Sequence, residues 1–106
     1  MRKDGTRILH RDVHNSYGSI MHRTTHEGVL ARDANSLRSF VLTRSFFLGS
    51  QKYGAYWTGD NSSIFSELQG SIWEIISAGL SGMGFGGADI PGYHGSPSQT
   101  LYIAMY

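Results

Sequence analysis

The chain has 106 residues, which limits it to one domain or to part of one. Hydrophobic residues make up 40% and charged residues 16%, a composition typical of globular rather than disordered proteins. The net charge is only +1 and the lysine and arginine residues are scattered along the chain, which argues against a nucleic-acid-binding protein. The absence of cysteine excludes a disulfide framework and a thiolate metal site.

Neither a membrane span nor a signal peptide is expected. No stretch approaches the ~20 consecutive apolar residues of a spanning helix. The basic start at residues 1–4 is not followed by the apolar segment of a signal peptide.

The first third of the chain is polar, and one apolar stripe predicts a helix within it. Gly18 is an unfavourable residue for the interior of that helix. Residues 31–37 are small, charged or polar and predict a loop. The stripe consists of Val13, Tyr17, Ile20 and Met21.

Three short strands and two helices are predicted in the rest of the chain. Residues 40–43 read as a strand buried on both faces, residues 53–57 as a second, and the glycine-rich residues 83–88 as a third. A helix lies between the last two strands, ends at Gly79 or Gly82, and another begins near residue 101. The apolar stripe of the middle helix is Ile64, Leu68, Ile72, Ile75 and Ile76.

Each predicted strand is followed by a charged residue: Arg44, Asp60 and Asp89. In a (β/α)₈ barrel the functional residues typically lie at the carboxyl ends of the parallel strands, and such a barrel needs roughly 250 residues. The predicted fold class is therefore α/β, a partial (β/α)₈ TIM barrel with about three of its eight units. The first two strands are joined by a short link, so either a compressed crossover lies there or they pair differently.

Asp60 allows two interpretations. It begins a run of four residues that favour the N-cap of a helix, so it could stabilise the helix that follows. Alternatively, a carboxylic acid close to Trp57 could give its proton to the oxygen of a departing sugar.

Arg44 and Asp89 are equally open. Arg44 could form a surface ion pair at the end of its strand, or could donate hydrogen bonds to sugar hydroxyls or a neighbouring carboxylate. Asp89 could simply form a turn before Pro91.

Two further patterns are weaker. Residues 82–87 formally satisfy G-x-G-x-x-G, but no strand precedes them and no helix follows. The glycines are therefore predicted to allow close approach of another backbone or a ligand. The histidines at 10 and 14, and at 22 and 26, have helical spacing but lack the glutamate of H-E-x-x-H. A solvated helix face is favoured over a metal site, and no cofactor is expected.

Three blocks in order resemble one known family, the retaining α-glucosidases of glycoside hydrolase family 31. The central block is "FVLTRSFFLGSQKYGAYWTGDN", residues 40–61. "HRDVHNSYG" at 10–18 and "GLSGMGFGGADIPGY" at 79–93 are similar to the neighbouring blocks of that family. The resemblance covers most of the chain and implies that residues 1–106 are a fragment of the family's catalytic barrel.

The resemblance also implies roles for four residues. Asp60 matches the general acid/base of the family's W-x-G-D motif, and Trp57 of the same motif lines the sugar subsite. Arg44 matches a sugar-binding arginine, and Asp89 of the G-A-D motif matches an aspartate that hydrogen-bonds glucose hydroxyls.

The family mechanism uses a second carboxylate, and here the chain departs from the pattern. The nucleophile belongs to a W-x-D-M-N-E block, and no such block occurs in this sequence. We therefore expect no hydrolysis by this chain alone. Other departures are Phe65 for a usual Trp, Gly86 for a common Cys and Pro91 for a usual Gly.

For a full-length parent, the resemblance implies an α-glucoside or oligosaccharide substrate. It favours the family members that trim glucose from N-linked glycans in the lumen of the endoplasmic reticulum with a regulatory β-subunit. Two other interpretations remain: a non-catalytic carbohydrate-binding remnant, and a small α/β interaction domain whose resemblance is inherited and unused.

Overall fold

The computed structural model describes residues 4–32 and 37–106. Two short helical segments precede the first long helix, and a second 3₁₀ turn lies between the first two strands. The elements in chain order are α1 (His10–Val13), a 3₁₀ turn (His14–Ser16), α2 (Tyr17–Arg32), β1 (Leu42–Thr43), a 3₁₀ turn (Ser50–Lys52), β2 (Ala55–Trp57), α3 (Phe65–Leu80), β3 (Gly86–Gly87) and α4 (Gln99–Met105).

The three strands form one parallel sheet in the order β1-β2-β3. Leu42 and Ala55 are aligned between the first pair of strands, and Trp57 and Gly87 between the second. The link between β1 and β2 is a compressed crossover that contains only one 3₁₀ turn, whereas α3 provides a full crossover to β3. The predicted α/β class with parallel strands is confirmed, although each strand is shorter than predicted.

One face of the sheet packs against α3. Tyr56 is 3% exposed and lies in a small cluster with Ala78 and Met83, where Phe46 packs against its ring at a centroid distance of 5.0 Å. A Cβ on Gly86 would lie 2.3 Å from the Tyr56 ring. The glycines here are predicted to allow close approach of another backbone or a ligand, and at Gly86 both the ring and the backbone carbonyl of Tyr56 come close.

The end of α3 is a Schellman motif. The N–H of Met83 donates to the carbonyl of Ala78 at 2.8 Å, and the N–H of Gly82 donates to the carbonyl of Gly79 at 3.0 Å. Gly82 has a φ of 89°, which an L side chain rarely adopts. The prediction of Gly82 as the helix end is confirmed, while Gly79 lies inside the helix. The turn carries Met83 directly into the core.

The helix predicted between β2 and β3 is confirmed as α3, but its apolar stripe is not its buried face. Ser71 and Ala78 are the buried residues of α3, whereas Ile72 is 50% exposed and Ile76 49%. Small residues allow the helix to come close to the sheet, so the branched side chains lie on other sides of the helix. The isoleucines of the stripe therefore remain exposed in this chain, although Leu68 of the same stripe is half-buried.

In α2, too, the apolar stripe is not the buried face. Its buried residues are Gly18 and His22, while Tyr17 and Met21 of the predicted stripe are exposed. A Cβ on Gly18 would lie 2.4 Å from the Cβ of Ser45, so glycine is what allows this helix to dock. Gly18, which is unfavourable inside a helix, is thus the residue that makes the contact with Ser45 possible.

Burial is incomplete around the first strand. Phe40 and Leu42 are exposed, so the expectation of a strand buried on both faces is wrong for this chain. The predicted loop at 31–37 begins later than expected, because α2 continues to Arg32, and residues 33–36 lie outside the described residues. Within the described residues, no helix combines the length and apolar character needed to cross a membrane.

The last predicted helix is confirmed as α4, which begins two residues before Leu101. The Ser98 hydroxyl accepts a hydrogen bond from the N–H of Leu101 at 3.2 Å and caps the helix. Leu101 itself is buried.

His22 corrects the interpretation of the histidines as a solvated face. Its side chain is 2% exposed, and its ring meets that of Tyr53 edge-on at 6.0 Å. Burial, with a smaller contribution from nearby His26, lowers the pKa of His22 below its ordinary value. The exposed His10 and His14, by contrast, fit the predicted solvated face.

We expect the free energy of unfolding to fall as pH drops below about 6.5, the ordinary histidine pKa. The folded pKa of His22 is lowered, so the unfolded chain binds this proton more readily, and the stability present above that pH is lost on acidification. Urea unfolding between pH 7.5 and 5 measures this. His22→Leu should flatten the pH dependence, and His10→Leu at an exposed position should not; equal slopes in both variants and wild type would contradict the assignment.

Candidate active site

The three parallel strands bring their carboxyl ends to one edge of the sheet. Arg44 directly follows β1, Asp60 lies three residues after Trp57 at the end of β2, and Asp89 lies two residues after β3. Because neighbouring parallel strands end on the same side, the three charged residues gather there.

Asp60 forms an ion pair instead of a helix cap. Its Oδ1 accepts a hydrogen bond from Arg44 Nη1 at 3.0 Å. The N-cap position of α3 is Ile64, and no side chain accepts a capping hydrogen bond there. Gly59 has a φ of 93°, and a Cβ at this position would lie 3.2 Å from Arg44 Nη2. The helix-cap interpretation of Asp60 is therefore wrong, and the turn leaves space for the guanidinium.

Trp57 adds an aromatic contact to this ion pair. The guanidinium carbon of Arg44 lies 5.8 Å from the centroid of the indole ring, within the range of a cation–π contact. The cation is thus held by a carboxylate and an aromatic ring from the next strand. This geometry fits both candidate roles of Arg44, the surface ion pair and the donor to sugar hydroxyls. The ion pair is formed, and it is partly exposed to solvent, where a sugar could reach it.

Trp57 also borders two surface hollows. One, of about 410 Å³, is lined by Arg44, Trp57 and residues of α3 that include Glu74. The other, of about 400 Å³, lies on the uncovered face of the sheet and is lined by Phe40, Leu42, Trp57, Asp89 and neighbouring residues. Asp60 is not among the described residues that line either hollow and reaches the first through Arg44.

Burial raises the pKa of the Tyr56 phenol in the first hollow, and the Glu74 carboxylate adds to the effect. A neutral tyrosine at this position leaves Arg44 and Glu74 as the charged side chains of that hollow. Among the described residues, no group of three or more histidine, aspartate or glutamate side chains could hold a metal ion.

Asn61 is a residue that the sequence reasoning missed. It is one of the four residues predicted to favour a helix N-cap, yet it is only 8% exposed and its Nδ2 donates to the carbonyl of Asp89 at 3.2 Å. Nothing in the hydrophobic periodicity marks this position. The available signal was an amide-bearing residue directly after the candidate acid.

The comparisons agree with the motifs. Residues 1–106 match the family described as "Glycosyl hydrolases family 31 TIM-barrel domain". The chain belongs to glycosyl hydrolase family 31. The match and the parallel sheet together confirm the resemblance and the partial-barrel fold.

One relative is the probable glucan 1,3-alpha-glucosidase of Oryza sativa subsp. japonica. It is 48% identical over 99 residues, which are 93% of this chain and 11% of the relative. The chain therefore spans a small part of the length of this relative.

Two solved structures are similar in fold as well. The glucosidase II alpha subunit in its alpha3-Glc2-bound form has a TM-score of 0.83 and 45% identity, over 88% of this chain and 10% of that chain. The heterodimeric complex of ER glucosidase II, described as a catalytic subunit with the binding domain of the regulatory subunit, has a TM-score of 0.82 and 45% identity over the same shares.

We expect Asp60→Asn to change the free energy of unfolding by no more than about 1 kcal/mol, because a partly exposed ion pair contributes little to stability. Urea denaturation measures the change. Glu27→Gln, which breaks the exposed Arg23–Glu27 pair, is the matched control and should have an effect of the same size. A loss above about 2 kcal/mol for Asp60→Asn alone would mean that the pair supports the fold rather than the site.

Proposed function

We propose that this chain supplies the general acid/base and part of the sugar-binding surface of a retaining α-glucosidase. The observation that carries the proposal is the Arg44–Asp60 ion pair beside Trp57, at the carboxyl ends of parallel strands. Family membership supports the reaction class. The position of the pair after β1 and β2 supports the proposal, because barrel enzymes perform their chemistry at the carboxyl ends of their strands.

In this mechanism Asp60 first donates a proton and later accepts one. As a carboxylic acid it gives its proton to the glycosidic oxygen, while a second carboxylate attacks the anomeric carbon and forms a glucosyl ester. As a carboxylate it then takes a proton from the water that releases glucose with its original configuration. Retaining enzymes hold the two carboxyl groups about 5–5.5 Å apart, and the nucleophile would come from outside residues 1–106.

The neighbours of Asp60 have separate tasks in this proposal. Arg44 steadies the ionised form of Asp60 between the two steps and offers its remaining N–H groups to sugar hydroxyls. Trp57 provides an apolar wall for the pyranose ring, and the Asp89 carboxylate, which lines the same hollow as Trp57, accepts hydrogen bonds from sugar hydroxyls.

Residues 1–106 would form part of a larger catalytic barrel. Parallel sheets are normally covered on both faces, and here the face with Phe40 and Leu42 is open, as are the isoleucines of α3. The remaining strands and helices of a barrel would cover both surfaces. The short share of each relative that the chain spans supports the same proposal.

The finer assignment follows the relatives. The similarity to glucosidase II supports an oligosaccharide substrate with α-linked glucose, trimming of N-linked glycans and a site of action in the endoplasmic reticulum. The heterodimeric relative supports a regulatory β-subunit as partner of the full-length protein.

A second candidate function is carbohydrate binding without catalysis. The hollow that contains Trp57 and Asp89 is formed by this chain alone and does not include Asp60. Such a surface could hold glucose although the second carboxylate is missing.

External azide can test whether Asp60 acts as an acid. The purified chain should not hydrolyse phenyl α-glucoside, because the nucleophile is absent. With azide added, azide attacks the anomeric carbon, the bond from that carbon to the phenoxy oxygen breaks as this oxygen takes the proton of Asp60, and phenol and β-glucosyl azide accumulate. Asp60→Asn should lower this rate at least about a hundredfold, and Glu27→Gln should not; chromatography of the azide product measures both. Hydrolysis without azide, lost in Asp60→Asn, would overturn the requirement for an outside nucleophile.

Binding separates the two candidate functions. In a Trp73→Phe background, glucose should quench the fluorescence of Trp57, and Asp89→Asn should weaken the binding at least about fivefold through loss of charge-assisted hydrogen bonds. Saturable glucose binding without any azide product would favour the carbohydrate-binding candidate over the catalytic one.

A further inference from the structure

Asn61 connects the turn that carries Asp60 to the loop that carries Asp89. Its carbonyl oxygen accepts two backbone hydrogen bonds, from Tyr93 at 2.7 Å and from His94 at 3.0 Å. Its carboxamide donates to the carbonyl of Asp89 at 3.2 Å. Three hydrogen bonds from one residue therefore fix the segment after β2 to the loop after β3.

The preceding residue is fixed from the opposite side. Asp60 is held by Arg44, which follows β1, at 3.0 Å. The Asp60–Asn61 pair thus spans the strand ends, with its carboxylate bound toward β1 and its carboxamide bound toward the loop after β3. A displacement of either contact would change the position of Asp60 relative to Asp89.

We propose that Asn61 is a positioning residue whose carboxamide sets the placement of Asp89 relative to Asp60. This role rests on the proposed function, which assigns proton transfer to Asp60 and sugar binding to Asp89. Asn61 does not touch the substrate; it acts through the backbone of Asp89.

The chemistry of the contact requires an amide. The carbonyl of Asp89 is an acceptor, so the side chain at position 61 must supply a donor. Aspartate has nearly the same shape as asparagine, but when ionised it is an acceptor only. It would bring a carboxylate oxygen, instead of an N–H group, against the carbonyl oxygen of Asp89. The main-chain bonds of Asn61 to Tyr93 and His94 do not depend on the side chain. Asn61→Asp therefore removes one contact and leaves the others available.

Ser63 offers a matched control. It is as buried as Asn61 and lies in the same segment, where its N–H donates to the carbonyl of His94 at 2.8 Å. Ser63→Ala keeps that main-chain bond. A loss of stability common to both variants would be structural, whereas an effect on Asp89 and on sugar binding should be specific to Asn61→Asp.

The experiment uses the full chain and two readouts. NMR follows the carbonyl carbon of Asp89 and the amide of Ile90, which belong to the peptide group that accepts the bond; both resonances should shift in Asn61→Asp and stay in place in Ser63→Ala. Glucose titrated against Trp57 fluorescence should bind at least about tenfold more weakly to Asn61→Asp, which corresponds to about 1.4 kcal/mol, and with unchanged affinity to Ser63→Ala.

A measurement on the unmodified chain keeps the proposal testable if Asn61→Asp does not fold. The side-chain amide protons of Asn61 should exchange with solvent at least about tenfold more slowly than those of the exposed Asn15. Equal exchange rates, or an Asp89 carbonyl unmoved in folded Asn61→Asp, would overturn the proposal. A shifted Asp89 carbonyl in a chain that does not bind glucose would support the positioning contact and count against the proposed sugar site.

Discussion

The parallel pairing of β1 with β2 is the constraint on which the rest of the structure depends. The link between them is short, so the chain must return almost directly beside its own first strand, with α2 packed close at Gly18. Parallel alignment is what puts the end of β1 next to the end of β2 and allows Arg44 to reach Asp60. An antiparallel pairing would have sent the two charged residues to opposite edges of the sheet.

Element type and order could be predicted from the sequence, because periodicity and glycine position report local preference. The strand ends with their charged residues and the stop of α3 at Gly82 followed from these signals. The buried faces did not follow. In α2 and α3 the buried side carries small residues or a histidine, whereas hydrophobic periodicity favours larger side chains.

The candidate site shows the same division. The motifs alone single out Arg44, Asp60, Trp57 and Asp89, whose roles stay predictions, and the structure brings Asp60 to Arg44 and Arg44 to Trp57. The contact of Asn61 with the backbone of Asp89 joins positions that are far apart in sequence. A hydrogen bond to a main-chain carbonyl has no partner residue type, so no pattern of letters could reveal it.

The outward isoleucines of α3 have a practical consequence. These side chains give α3 an apolar surface that is exposed to solvent. Exposed apolar patches favour association between molecules in solution. Association of the purified chain would then increase with its concentration. Dilute samples and mild solubilising additives follow directly from the orientation of a single helix.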